Sequence, residues 1–401
     1  MTQYLYVGCV TLILFIILLV IGKRKKVLSD YIFLAWMVIL LTNFATFIVI
    51  SRYDYPASFA GRLLVEFSEA SVFLHGPVFL FYTLSLTSPT QRIHFRQAIH
   101  LVPFVICLLF LLEGAWKGPG VSNGMRLVFT LIKMISLLAY TTGVIIQLRK
   151  HRDQVESIFS NTERKNLGWL NFLAWGIICV WGFSCLGLLL YNVSGINIPQ
   201  YGAVAGNLAL SCLIFLIGYY GVRQEAIFNF TGQGETILLP NQITRKTEAD
   251  DIYAGATMDD LVQEVPVEET QVPAAHSDKY KNSGLTKQKA MELFEALTLF
   301  MQHQKPYQES ELTLFGLAKQ FKIHPNHLSQ IINQHRNQNF FDYINEQRVI
   351  DVKKALLSPD YYNHSFLGIA HEFGFNSKAS FNRAFKKFTG MTPSEFKRTA
   401  S

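Results

Sequence analysis

Long apolar runs constrain this chain more than any other feature. Seven stretches, 3–21, 31–50, 63–86, 99–112, 126–148, 169–191 and 201–221, are dominated by aliphatic and aromatic residues. A run of about 18 or more such residues reads as a membrane-spanning helix, because roughly 20 residues at ~1.5 Å each cover the hydrocarbon core. The fourth run is short and contains Pro103, so its ends are the least defined. The first, Tyr4 to Ile21, is followed by Lys23-Arg24-Lys25-Lys26, the reverse of a cleavable signal peptide. An uncleaved first helix is expected.

Orientation follows from Lys and Arg in the short loops, since the cytoplasmic side holds the excess. The loops at 22–30, 87–98 and 149–168 hold 4, 2 and 5 basic residues, against 2, 2 and 0 at 51–62, 113–126 and 192–200. The N-terminus is therefore expected outside and the C-terminus in the cytoplasm. Trp116 and Trp169 sit near span ends, as interfacial anchors do.

Charge divides the 401 residues into three parts. Residues 1–223 carry 17 Lys/Arg and 8 Asp/Glu; 224–278 carry 2 against 11; 279–401 carry 17 against 10. The expected layout is a transmembrane sensor domain over 1–223, an acidic linker over 224–284 and a basic C-terminal domain over 285–401. The linker holds scattered Gly, Pro, Asp and Glu with few aromatics, a composition that favours disorder. Its Thr231–Glu235 stretch lacks the third glycine and the Lys-Ser/Thr of a phosphate-binding loop. All five cysteines lie inside apolar runs and form no CxxC pattern, so neither a disulfide framework nor a metal site is expected. No cofactor is implied, and no nucleophile motif suggests an enzyme.

Ionisable residues within spans are costly and become functional candidates. Glu66 and Glu69 share one face of the third run at i, i+3, His75-Gly76-Pro77 follows them, and Lys133 lies in the fifth. Two readings stand side by side: an interhelical ion pair that holds the bundle, or a pocket open to the outside that senses a ligand or proton. Glu66, Glu69, His75 and Lys133 are the candidate sensing site.

From Leu285 the pattern turns helical and polar-faced. Leu314–Phe321 predicts a short helix, Lys322-Ile323 a turn, and His324-Pro325 a cap and first position opening a second helix. Leu328, Ile331 and Ile332 face inward in that helix, leaving Asn326, Ser329 and Gln330 outward. Phe340–Leu357 predicts a longer amphipathic helix. The arrangement then repeats: Phe366–Phe373, a tight turn at Gly374, and a helix capped by Asn376-Ser377 and running to Phe388. There Phe381, Ala384, Phe385 and Phe388 face inward, while Lys378, Ala379, Asn382, Arg383 and Lys386 can face out. Two such units, over about 314–334 and 366–388, are what helix-turn-helix DNA binding requires.

The segment Ile369-Ala370-His371-Glu372-Phe373-Gly374-Phe375, with Ser377, Phe381, Arg383, Phe385-Lys386-Lys387 and Gly390-Met391-Thr392-Pro393, closely resembles the C-terminal signature of the AraC (arabinose-operon regulator) family. Leu317-Ala318, Leu328-Ser329 and Phe341-Asp342-Tyr343-Ile344-Asn345 with Arg348 resemble its first unit and linking helix. The resemblance spans about 306–398 and departs at Lys322, where the family often has glycine. The seven-run half, with His75-Gly76-Pro77, is similar to membrane-anchored members. The resemblance implies that Phe340–Leu357 holds two recognition helices rigidly apart. It implies that Lys378, Ala379, Ser380, Asn382 and Arg383, with Asn326, Ser329 and Gln330, face bases. Lys386, Lys387, Lys397 and Arg398 then face phosphates.

The expected fold is all-α: a polytopic seven-helix membrane domain plus a cytoplasmic domain of two helix-turn-helix units joined by a linking helix. The expected function is a one-component sensor and sequence-specific transcription regulator of the cytoplasmic membrane. Its implied partners are double-stranded DNA, the lipid bilayer, a small-molecule or proton signal, a second copy of the chain, and RNA polymerase where regulation is activation. The rival is a transporter or receptor with an accessory DNA-binding tail, but the apolar half shows no convincing internal repeat.

Overall fold

The computed structural model describes residues 2–53, 58–87, 95–117, 123–163, 165, 167–194, 212–221 and 285–400. Among them the chain is helical, and its one β feature is an isolated antiparallel bridge between Phe159 and Thr313. The described residues fall into two compact units. One holds the apolar helices. The other joins the segment Arg152–Asn166 to the C-terminal helices.

The apolar helices are α1 (Thr2–Ile21), α2 (Leu28–Tyr53), α3 (Phe59–Thr87), α4 (Val102–Lys117), α5 (Asn123–Ile158), α6 (Gly168–Ser194) and α7 (Cys212–Gly221). Gln3–Ile21, Leu28–Ile50, Phe59–Thr87 and Val128–Ile158 are long and apolar enough to cross a membrane; the apolar stretches Gln97–Leu112, Gly168–Phe183 and Cys212–Gly221 are shorter. A 3-10 turn, Phe95–Leu101, leads into α4, so Pro103 sits in the first turn of the α-helix, where its missing N–H costs nothing. Residues 201–211 of the expected seventh run, and the linker at 224–284, lie outside the described residues.

Successive helices α1 to α4 pack pairwise. Their main core gathers Ile13 and Ile16 of α1, Phe33, Met37 and Phe44 of α2, Phe79 and Tyr82 of α3, Val144 of α5 and Leu170 of α6. Gly76 is required by closeness: a Cβ there would meet the Tyr140 ring of α5 at 2.6 Å. The outward faces are apolar as well, with Phe15, Leu18, Ile106, Leu109, Ile135, Ile146 and Phe172 exposed. Helices apolar all round suit lipid contact, not water.

In the second unit follow α8 (Lys287–Gln304), α9 (Leu314–Phe321), α10 (Pro325–Arg336), α11 (Phe340–Leu357), α12 (Phe366–Glu372), α13 (Lys378–Thr389) and α14 (Pro393–Ala400). Two cores share α11. Phe340, Tyr343 and Ile344 join Leu314, Leu317, Leu328, Ile331 and Ile332, with Leu297 and Met301 of α8 alongside. Val349, Val352 and Leu356 join Ile369, Phe375, Phe381 and Phe385. One rigid helix, about 27 Å long at ~1.5 Å per residue, thus serves as a wall of both units.

Candidate nucleic-acid interface

Each helix of the two units starts on a side-chain cap, which is why such short helices form at defined places. Thr313 accepts from the Gly316 N–H at 3.0 Å, and Asn339 accepts from Asp342 at 2.8 Å. Ser365 accepts from Gly368 at 3.0 Å, and Ser377 from Ser380 at 3.2 Å. His324 Nδ1 accepts from Asn326 at 3.2 Å, with Pro325 next in the first helical position. Caps of this kind each contribute about 1 kcal/mol. At α14 the cap is reciprocal: the Thr392 N–H donates to Glu395 Oε2 at 2.7 Å and the Glu395 N–H to Thr392 Oγ1 at 3.3 Å.

Between the helices of each unit the backbone turns through the left-handed region. Gly374 does so at φ 88° and Lys322 at φ 57°. The lysine therefore keeps the turn that glycine commonly makes, and the departure in sequence is no departure in geometry.

Arg348 of α11 binds the segment ahead of α9, and its guanidinium lies 5.7 Å from the centre of the Phe375 ring. The arginine is 1% exposed. Its Nε donates to Tyr307 O at 2.7 Å, Nη2 to Glu309 O at 2.8 Å and to Ser160 Oγ at 3.1 Å, and Nη1 to Asn345 Oδ1 at 3.3 Å. Nearby, Asp351 accepts from Tyr307 Oη at 2.6 Å and from Lys305 and Lys354 at 3.0 Å each. Burial alone would raise its pKa, but the hydrogen bonds from Tyr307, Lys305 and Lys354 and the charge of Lys305 hold it below the ordinary carboxylate value.

The expected base-facing residues divide. Lys378, Ala379 and Arg383 are exposed on α13, and Ser380 and Asn382 are half-buried there. On α10, Asn326 and Ser329 are half-buried. Gln330 is a correction: it is 3% exposed and does not face outward. Polarity shows which side chains tolerate water; it does not show which faces neighbouring elements cover. Of the four cations assigned to phosphates, Lys386, Lys387 and Arg398 are exposed. Lys387 pairs with Asp342 of α11 at 2.6 Å, and Lys397 lies over the rings of Tyr362 and Phe366. Capped helices of this size, with exposed cations and a fixed spacing, can enter successive major-groove faces.

Residues 317–399 match the family model described as a helix-turn-helix domain. The chain carries an AraC-type helix-turn-helix domain at its C-terminus. Over 85 residues it is 34% identical to the uncharacterised helix-turn-helix-type transcriptional regulator YpdC of Escherichia coli K12, covering 21% of this chain and 29% of that protein. It is 34% identical over 71 residues to the probable transcription factor PqrA of Proteus vulgaris, covering 18% of this chain and 56% of that one. Among solved structures it is similar to the C-terminal domain of AraT, a response regulator from Geobacillus stearothermophilus. That likeness has 25% identity, covers 29% of this chain and 88% of that one, and has a TM-score of 0.23. The chain spans less than two thirds of the two relatives' lengths. A helix-turn-helix domain implies DNA binding.

Within the apolar unit, the expected sensing residues separate into two groups. Lys133 Nζ of α5 meets Glu69 Oε2 of α3 at 2.6 Å, and Glu66, one turn from Glu69, is fully buried. His75 belongs to another chain of contacts. Its Nδ1 accepts from Trp36 Nε1 at 3.2 Å, and its Nε2 lies 2.9 Å from Asn43, which also bonds Ser68 and Ser71.

Proposed function

We propose that this chain is a membrane-anchored, sequence-specific transcription regulator with seven spans, its N-terminus outside and its AraC-type domain in the cytoplasm. The observation that carries this reading is the segment Arg152–Asn166. It connects two apolar helices, yet it belongs to one compact unit with the AraC-type helices. The same segment lies in the most basic of the short loops, the one assigned to the cytoplasm from its five Lys and Arg between 149 and 168. Outward Leu, Ile and Phe on the apolar helices support lipid as their surroundings.

The Glu69–Lys133 pair supports an input site in the bundle. A charge at membrane depth is costly unless paired, so a ligand or proton that neutralises Glu69 would favour a different arrangement of α3 and α5. A signal shifts the equilibrium only by its differential affinity for the two arrangements.

Topology reporters test the reading first. A cytoplasm-dependent reporter fused after Arg223 or within 149–168 is expected to work, and one fused after residue 195 to fail. An inverted pattern would remove the AraC-type domain from the DNA and end the proposal. Genome-wide DNA occupancy of the tagged full-length chain is then expected to show discrete sites; uniform occupancy would favour a transporter with an incidental basic tail.

A further inference from the structure

The segment after α5 is bound to the AraC-type domain along its length. Val155, Ile158 and Phe159 pack together with Phe315 of α9. Phe159 forms the antiparallel bridge with Thr313, and Ser160 donates to Leu312 O twice, from its N–H at 3.1 Å and its hydroxyl at 2.7 Å. Ser160 Oγ accepts from Arg348. Glu311 gathers Asn161 at 2.8 Å, Lys165 at 3.2 Å and Asn376 at 2.7 Å. Burial works against the Glu311 carboxylate, but these hydrogen bonds and the Lys165 charge hold its pKa below the usual value, so it stays ionised at neutral pH. Glu163 accepts from the hydroxyl of Ser377.

These contacts end on the part of α13 that DNA needs. Asn376 and Ser377 immediately precede α13, and Ser377 is its cap. Ser160, Glu163, Asn376, Ser380 and Arg383 line one shared pocket with Arg348. A recognition helix enters the major groove by its N-terminal residues, and a helix N-terminus draws an anion. Glu163 puts a carboxylate there, where a duplex would bring phosphate. Residues 160–163 thus occupy ground beside the N-terminal end of α13 that a groove-bound duplex would need.

We propose that residues 159–163 are an intramolecular clamp that closes the N-terminal end of α13 and holds the AraC-type domain in a DNA-excluding state. The clamp rests on the assignment of α13 as a DNA-reading helix. Release comes from the bundle: Lys133 and the Val155–Ile158 anchor belong to the same continuous helix, α5, so a change at the Glu69–Lys133 pair acts on the element from which the clamp extends. The clamp is a two-state device whose coupling, if typical, changes DNA affinity by about 5–150-fold.

The test uses the full chain in lipid nanodiscs and a fluorescein-labelled 40-base-pair duplex of mixed sequence, read by anisotropy. Glu163 is exposed, so Glu163→Ala leaves the fold intact while removing the contact to Ser377. It is expected to tighten binding about tenfold, whereas Asp360→Asn, an equal charge change away from the clamp, shifts it less than twofold. Cysteines at Phe159 and Thr313, at bridge distance from each other, supply the opposite state: the oxidised form is expected to bind about tenfold more weakly than the same protein after reduction. No gain from Glu163→Ala together with equal binding by the oxidised and reduced forms would overturn the clamp. Adding Arg383→Ala separates the two ideas. Read on duplexes drawn from the sites the chain occupies, a loss confined to particular sequences supports α13 as the reader whatever the clamp does, and no loss on any duplex would overturn the reading on which the clamp rests.

Discussion

The two repeats of short helix, turn and capped helix are built on the same local plan and differ in how much room their turns have. In the first, Lys322 takes the left-handed conformation with its side chain exposed. In the second, Gly374 takes it while buried, and an added Cβ would meet Tyr307 O at 2.6 Å, Gln308 O at 2.8 Å and Arg348 Nε at 3.0 Å. The first turn needs only a backbone conformation. The second needs that conformation and the space, because the carbonyl that binds Arg348 presses against it. A recurring motif can thus be locally identical and yet be held by different forces.

The sharpest way to break this comparison is Gly374→Ala. Left-handed strain of about 1–2 kcal/mol adds to overpacking of about 1–3 kcal/mol, for an expected loss of ~2–5 kcal/mol. Two of the obstructing atoms are backbone carbonyl oxygens, which cannot turn aside as a side chain would. Pulse proteolysis of the C-terminal helices in the solubilised chain measures it. A loss below about 1 kcal/mol would mean that the second turn is as open as the first.

Next in size is Arg348→Met, which keeps the length of the stem and removes the guanidinium. Tyr307 O and Glu309 O lose their donor inside the protein, and each buried unsatisfied group costs about 1–3 kcal/mol. An expected loss of about 2–4 kcal/mol follows, and it falls on both units because α11 is a wall of both. Hydrogen exchange resolves the two: protection lost in α12 and α13 alone would show that Arg348 serves one unit only.

What the sequence made legible was local. His324-Pro325, Ser377 and Gly374 announce caps and a turn because their chemistry acts within a few residues, and the structure places them in those roles, whereas Asn376, expected to share the cap, donates to Glu311 instead. The inward residues of α10 and α13 followed from helical period. Gln330 did not, because its burial depends on what lies over it. Ser160, Asn161 and Glu163 gave no signal at all: a polar loop between apolar runs looks like any solvated connection, and its partners lie 150 to 214 residues away. Arg348 was visible as part of a resemblance, not as a hub, since its shortest bonds go to the backbone carbonyls of Tyr307 and Glu309, which carry no sequence signature, and Ser160 lies 188 positions away. Lys387 was expected at a phosphate through the resemblance, and the acid that it meets, Asp342, sits 45 positions earlier.

Helices α10 and α13, proposed to read DNA, sharpen the comparison at a smaller scale. On α13 the exposed groups include the cations Lys378 and Arg383, whereas α10 offers the half-buried Asn326 and Ser329, and its Arg336 pairs with Glu346 at 2.5 Å. Arg383→Ala is expected to cost about 1–3 kcal/mol at particular base pairs. Ser329→Ala, losing one neutral hydrogen bond, should cost nearer to 1 kcal/mol. Lys386→Ala should weaken every sequence alike and reduce the salt slope by about 1. Binding selections on a random duplex pool give all three, and equal, sequence-independent losses for Arg383 and Lys386 would erase the division between reading and positioning.

The smallest expected effect tests the first turn directly. Lys322→Gly relieves a left-handed side chain, a gain of about 1–2 kcal/mol. It also frees the unfolded chain, a loss of about 0.4–1 kcal/mol. The native gain is the larger, so a net stabilisation of about 0.5–1 kcal/mol is expected. Lys322→Ala keeps the Cβ and its strain, and should leave stability nearly unchanged. The pair of variants isolates conformation from charge, because both remove the same ammonium group. If glycine and alanine stabilise equally, the lysine's charge and not its backbone is what the first unit tolerates. If glycine destabilises, Lys322 makes a contact worth more than the strain it bears, and the open first turn would be as tightly held as the crowded second.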